Sequence, residues 1–213
     1  MNWNRFVSLT AAVVLAAGTA GCGEYVRGQG RSPSQVVITR LAAASGAEPD
    51  LVSETLRSDV VTVVRVTPPG SSTEIGVPTV FNDLGAVTMI LVLKDQGTAG
   101  IAAAPSPLNQ VTINRYRVEY RRADGRNTQG VDVPFSFDSA VTFTVPIDTA
   151  VTANFEIVRH TAKQEAPLAA LVNGAVIIST IAEVTFYGRD LAGNDVRVSG
   201  NIGVSFGNFG DPD

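Results

Sequence analysis

Apolar and polar residues take turns along most of this chain, a period of two that predicts strands. The clearest stretch is 111–122, where Tyr116, Val118 and Tyr120 alternate with Arg115, Arg117, Glu119 and Arg121. One face is aromatic and β-branched, the other fully charged, and no helix period fits. The stretch 196–206 repeats the logic. Val196, Val198, Ile202, Val204 and Phe206 point one way, and Asp195, Arg197, Ser199, Asn201 and Ser205 the other. Gly200 and Gly203 interrupt that stretch and predict a bulge or bend. Further strands are predicted at 35–42, 60–66, 86–94, 131–137, 141–146, 153–159 and 175–187. In 86–94, Met89, Leu91 and Leu93 oppose Thr88, Ile90 and Val92, which predicts a strand covered on both sides. Phe135, Phe137, Phe143, Phe155 and Phe186 supply aromatic bulk for a core. Nine strands at this spacing predict an all-β domain, a two-sheet antiparallel sandwich.

The connections agree with that expectation. Asp190-Leu191-Ala192-Gly193-Asn194 predicts a tight hairpin, with Gly193 and Asn194 suited to positive φ. Asp124-Gly125-Arg126-Asn127 ends the tyrosine-rich strand in the same way. One stretch breaks the period: 166–173 carries Pro167 near its start and Asn173-Gly174 at its end. It predicts one short connecting helix with Leu168 and Leu171 turned inward. The run 97–110, with alanines and two prolines, predicts a long exposed loop.

The first two dozen residues follow another rule. Arg5 supplies a positive charge, residues 6–17 form an apolar run of twelve, and small residues lead to Thr19-Ala20-Gly21-Cys22. Twelve residues rise about 18 Å as a helix, well short of a hydrocarbon core roughly 30 Å thick. Cys22 is the only cysteine in the chain. The segment resembles a bacterial lipoprotein signal, with Ala20, Gly21 and Cys22 on its last three positions and Thr19 where leucine is usual. The resemblance implies a signal peptide at 1–21, a diacylglycerol on Cys22, and a place in the bacterial cell envelope. Gly23 after the cysteine implies the outer membrane if the source is Gram-negative. Residues 22–33 are rich in glycine and polar groups and predict a flexible tether, followed by a single domain over 34–213. The chain carries 16 basic and 20 acidic residues, a mild negative balance that argues against a nucleic-acid partner.

Two further stretches carry a likeness. Residues 116–125, Tyr-Arg-Val-Glu-Tyr-Arg-Arg-Ala-Asp-Gly, are similar to a fibronectin type III central strand and its turn. Residues 184–194, Val-Thr-Phe-Tyr-Gly-Arg-Asp-Leu-Ala-Gly-Asn, are similar to the last hairpin of bacterial immunoglobulin-like repeats. The chain is about twice the usual length of such a module, so the resemblance implies an elaborated immunoglobulin-like sandwich. Fold likeness of this kind does not fix function.

Catalytic chemistry finds few candidates. His160 is the sole histidine, too few for a zinc site, and no Gly-x-Ser-x-Gly elbow accompanies it. Carboxylates are scattered singly along strand edges and turns. Asp190, Asn194 and Asp195 sit together at one hairpin as weak calcium candidates, too few to form a cage alone. Arg115, Arg117 and Arg121 share the polar face of one strand and form a candidate face for an anionic partner, with Glu119 in the same row. The expected function is therefore non-enzymatic and free of cofactors: a lipid-anchored envelope protein that binds a protein or glycan through the Arg face and the loop at 97–110. Two other readings stay open, a lipoprotein carrying a small hydrophobic ligand between its sheets, and an envelope hydrolase using His160.

Overall fold

The computed structural model describes residues 31–95 and 97–211. The expected signal peptide, Cys22 and most of the tether lie outside the described residues. The strands are β1 (Ser34–Ala44), β2 (Thr55–Asp59), β3 (Thr62–Val66), β4 (Ile75–Thr79), β5 (Asp83–Leu93), β6 (Gly97–Thr98), β7 (Ile101–Ala102), β8 (Val111–Arg121), β9 (Phe137–Val145), β10 (Val151–Val158), β11 (Ile178–Asp190) and β12 (Asp195–Gly207), of which β2, β4, β6 and β7 fall outside the predicted stretches. A four-residue helix, α1 (His160–Lys163), and a 3₁₀ turn, Leu168–Leu171, lie between β10 and β11. The protein is mostly strand, as the period of two predicts.

Two sheets carry the architecture. One has three strands in the order β1-β5-β10, all antiparallel. The other has five, in the order β2-β12-β11-β8-β9, antiparallel except that β2 runs parallel to β12. Val36, Val87 and Met89 from the first sheet and Tyr116, Val118, Phe186 and Val204 from the second belong to one buried core. Aromatic rings fill its centre: Tyr116 lies 5.2 Å from Phe155 and 6.2 Å from Phe137, and Phe155 lies 5.3 Å from Phe186, each edge to face. Such T-shaped pairs place the positive ring edge on the negative face.

Two tyrosines of β8 reach across that core to β10. The Tyr116 hydroxyl donates to the Glu156 carbonyl at 3.0 Å and accepts from the Glu156 N–H at 3.2 Å. The Tyr120 hydroxyl donates to the Ile157 carbonyl. The register of β10 against β5 slips between Glu156 and Val158. Ile157 is the extra residue at that slip and β10 is the edge of its sheet, so the two phenols bond backbone groups of an edge strand, Tyr120 at the bulge itself.

Several expectations need correction. Of residues 131–137 only Phe137 is in a strand, as the first residue of β9. Thr128 gathers the N–H groups of Val131, Asp132 and Val133 on its carbonyl, forming a turn, and Pro134 supplies no ladder donor. Phe135 is accordingly 50% exposed rather than in the core. Phe143 is partly buried against the core, whereas Phe137, Phe155 and Phe186 are fully within it. Gly200 and Gly203 make no bulge, because β11 and β12 pair without a slip from Ile178 to Arg189. Gly200 instead makes room for the facing sheet: a Cβ there would stand 3.0 Å from Ile38 and 3.3 Å from Leu41. Asn194 does not take positive φ, and Gly193 does at 87°. The predicted helix at 166–173 is the shorter 3₁₀ turn, with Leu168 and Leu171 buried as expected, and the α-helical turn lies earlier, in α1. The loop at 97–110 holds the miniature hairpin β6–β7 and a 3₁₀ turn at Pro107–Asn109. In β5, Met89 and Leu91 are buried while Thr88, Ile90 and Val92 are half-covered. At the tether's end, Ser32 is buried and its hydroxyl accepts from the Ser34 N–H, so the fold takes in the last residues of that stretch.

Candidate functional site

The charged face of β8 lies on the outer side of the five-stranded sheet, and its neighbours decide what it can bind. Arg115 and Arg117 both pair with Asp138 of β9, at 3.1 and 2.6 Å. Arg117 also donates to the Ser136 hydroxyl at 2.8 Å. Arg121 meets Glu119 at 3.0 Å and Glu183 of β11 at 3.7 Å. Unlike charges on adjacent strands therefore offset most of the arginine ladder. Arg117 and Arg121 are held by carboxylates on their own sheet.

Arg115 is placed differently. Between Ile113 and Arg115 the register slips against both neighbours: against β11 Asn114 is an extra residue in β8, whereas against β9 the extra residue lies in β9. Opposite stands Gly188, where a Cβ would lie 2.3 Å from the Thr112 carbonyl oxygen. Only glycine lets the bulged strand approach so closely. The bulge also explains why the buried set of β8 changes parity, from Val111 and Ile113 to Tyr116, Val118 and Tyr120. Beside it, cross-strand pairing sets Arg115, Tyr187 and Arg197 in one row over β8, β11 and β12. The Arg115 guanidinium lies 4.1 Å from the centre of the Tyr187 ring, in cation–π geometry.

Asn114, Arg115, Tyr187, Gly188, Arg189, Asp195, Val196 and Arg197 line a hollow of about 220 Å³ that opens on this face. Arg189 pairs with Asp195 at 2.7 Å. Arg197 has no ion-pair partner among the described residues. The lining carries three guanidiniums and one carboxylate, on a chain whose formal charge is −4. Guanidinium forks bind carboxylate or phosphate in a planar, bidentate way, and an aromatic ring offers a stacking surface beside them. The sequence shows Arg197 on the polar face of 196–206, but does not single out Tyr187 or show that strand register sets both beside Arg115.

The remaining sequence candidates are engaged locally. Asp190 is buried, and its oxygens accept from the backbone and side-chain N–H groups of Asn194 at 2.8 and 2.9 Å. Burial pushes its carboxyl up, but these bonds, with help from Ser32 and Ala192, outweigh it and hold the group below its ordinary value. Asp195 is taken by Arg189, so the hairpin oxygens face donors rather than converge. No cluster of three or more histidine, cysteine or acidic side chains arises among the described residues. His160 is exposed, and its Nδ1 lies 2.8 Å from the Asn82 side-chain oxygen, not against a serine.

One polar cluster escaped the sequence reading. At the other end of the sheets from Ser34, Lys163 Nζ lies 2.8 Å from Asp83 Oδ1. The side chains are 1% and 0% exposed. Oδ1 also accepts from the Gly46 N–H at 2.8 Å, and Oδ2 from the Ser58 hydroxyl at 2.6 Å. Asp83 opens a strand and Lys163 sits in a polar connection, positions whose sequence signal is that of solvent. A scan of protein-family models matches none to this chain, and a search of curated proteins finds no match.

Proposed function

We propose that this is a lipid-anchored cell-envelope protein whose elaborated immunoglobulin-like sandwich binds an acidic protein or glycan, without catalysis. The observation that carries the reading is the Arg115–Tyr187–Arg197 row above the Asn114 bulge, a basic and aromatic hollow on an acidic protein. A bulge bends its strand and can re-aim a side chain. The strand orders support the sandwich. Sheets ordered 1-5-10 and 2-12-11-8-9 follow the immunoglobulin pattern ABE and A′GFCC′, with the A′ strand parallel to the last.

Position decides how an anchor at Cys22 would present the hollow. Ser32 is held at the end of the sheets that carries the β11–β12 hairpin, where its hydroxyl helps to stabilise Asp190. The hollow reaches that hairpin through Arg189 and Asp195. Ser32 follows Cys22 by ten residues, a tether that spans at most about 35 Å when extended. That length bounds how far from the lipid Ser32, and with it the hairpin end of the sheets, would stand.

Two experiments test the reading. Radiolabelled palmitate is expected to enter the protein in cells and to be lost on Cys22→Ser; equal labelling of both would remove the anchor. Arg197→Glu is expected to abolish salt-sensitive binding to polygalacturonate, an acidic glycan probe, and to strip specific partners from envelope pull-downs. Identical retention by wild type and variant in both assays would remove the binding face.

A further inference from the structure

The buried Asp83–Lys163 contact brings two groups together that can react with each other. We propose that they condense into an intramolecular amide, a covalent cross-link between the start of β5 and α1. Geometry carries the inference. The amine nitrogen lies 2.8 Å from a carboxyl oxygen, both side chains are excluded from water, and Gly46 and Ser58 fix the carboxyl oxygens from two further sides.

As an ion pair, this arrangement keeps two charges where water cannot solvate them. Shifting one proton from Nζ to Oδ1 leaves an amine and a carboxylic acid in contact, with no net charge on either. Burial favours that state: it raises the Asp83 carboxyl above its ordinary value, although the charge and hydrogen bond of Lys163 and the bonds from Ser58 and Gly46 pull the other way. The Nζ lone pair then attacks Cγ and the C–N bond forms. The Ser58 hydroxyl holds Oδ2 while negative charge develops there. A second proton passes from the nitrogen to the Oδ1 hydroxyl, the C–O bond breaks, and Oδ1 departs as water while Oδ2 returns to a carbonyl. Ammonium and carboxylate enter, amide and one water leave, and no oxidant or cofactor is required. Fixing both partners in contact supplies the orientation that such a condensation lacks in solution.

Residue choice adds to the argument. Of the 16 basic residues, only Lys94 and Lys163 are lysines, and the rest are arginines. Arginine is the better partner for a buried carboxylate, through its planar fork. A chain that uses arginine almost everywhere places a primary amine at this carboxylate, and a primary amine forms a stable amide. The partners stand 80 residues apart. With one cysteine the chain cannot close an internal disulfide, and an amide here would constrain the unfolded chain in the same manner.

A tryptic digest of the purified full-length protein, read by tandem mass spectrometry, tests the proposal. The expected result is a branched peptide joining Asp83 to Lys163, one water lighter than its two parts, with no cleavage after Lys163. Lys163→Arg is expected to restore the linear peptides and the lost water while circular dichroism stays that of a β protein. A succinimide at Asp124-Gly125 also sheds a water but gives no branched peptide. Separate linear peptides carrying unmodified Asp83 and Lys163 from the wild-type protein would overturn the cross-link. That digest decides even where Lys163→Arg fails to fold.

Discussion

Single side chains in this protein do work that alternation alone does not reveal. Tyr116 and Tyr120 count as apolar bulk in the pattern of β8, yet their hydroxyls bond the backbone of an edge strand in the opposite sheet, Tyr120 at its bulge. A buried carbonyl left without its donor costs about 1–3 kcal/mol. Tyr120→Phe is therefore expected to lower the stability by about that amount with the β spectrum unchanged, as measured by chemical denaturation; an unchanged midpoint would contradict the role. Asp190 acts at the same scale through its charge. Its folded value lies below the ordinary one, so its contribution is present above the ordinary carboxylate range and is lost as pH falls through the folded value. Asp190→Asn is expected to lower Tm at neutral pH and to shallow the decline in Tm below about pH 4. Calorimetric scans across pH check this, and parallel curves for the two proteins would refute it.

At the scale of elements, close approach of backbone and ring governs more than propensity does. Gly85 in β5 faces Phe155, whose ring would lie 2.4 Å from an added Cβ. That ring is locked between Tyr116 and Phe186 and has nowhere to go. Gly85→Ala is expected to cost about 1–3 kcal/mol by overpacking. Gly174→Ala, which meets only the Val176 nitrogen at 3.9 Å, is expected to stay within about 0.5 kcal/mol of wild type. Equal denaturation midpoints for the two variants would show that the ring yields. The long strands were legible because each repeats its period over many residues. Of the strands of five residues or fewer, β3 falls within the predicted stretch 60–66, where apolar residues are dense, whereas β2, β4, β6 and β7 carry too few alternations to register. The stretch 131–137 failed for a different reason: apolar residues at alternate positions suggested a strand, while the Thr128 carbonyl and Pro134 made a turn.

Across the whole molecule, the arginine ladder changes meaning once its neighbours are known. Arg115, Arg117 and Arg121 read as one face in the sequence, but Asp138, Glu119 and Glu183 hold the ladder from their own sheet. The hollow gathers instead around Arg115, Tyr187 and Arg197, which come from three strands. Local order alone determined the all-β class, the long strands, the buried face of β12 and that of β8 from Tyr116 on, and the hairpin at Asp190, because each depends on residues within a few positions of one another. Tertiary structure decided the strand order, the slip at Asn114, the row across β8, β11 and β12, and the meeting of Asp83 with Lys163. Those features join residues scores of positions apart, and a period of two says which way a side chain points but never what stands opposite it.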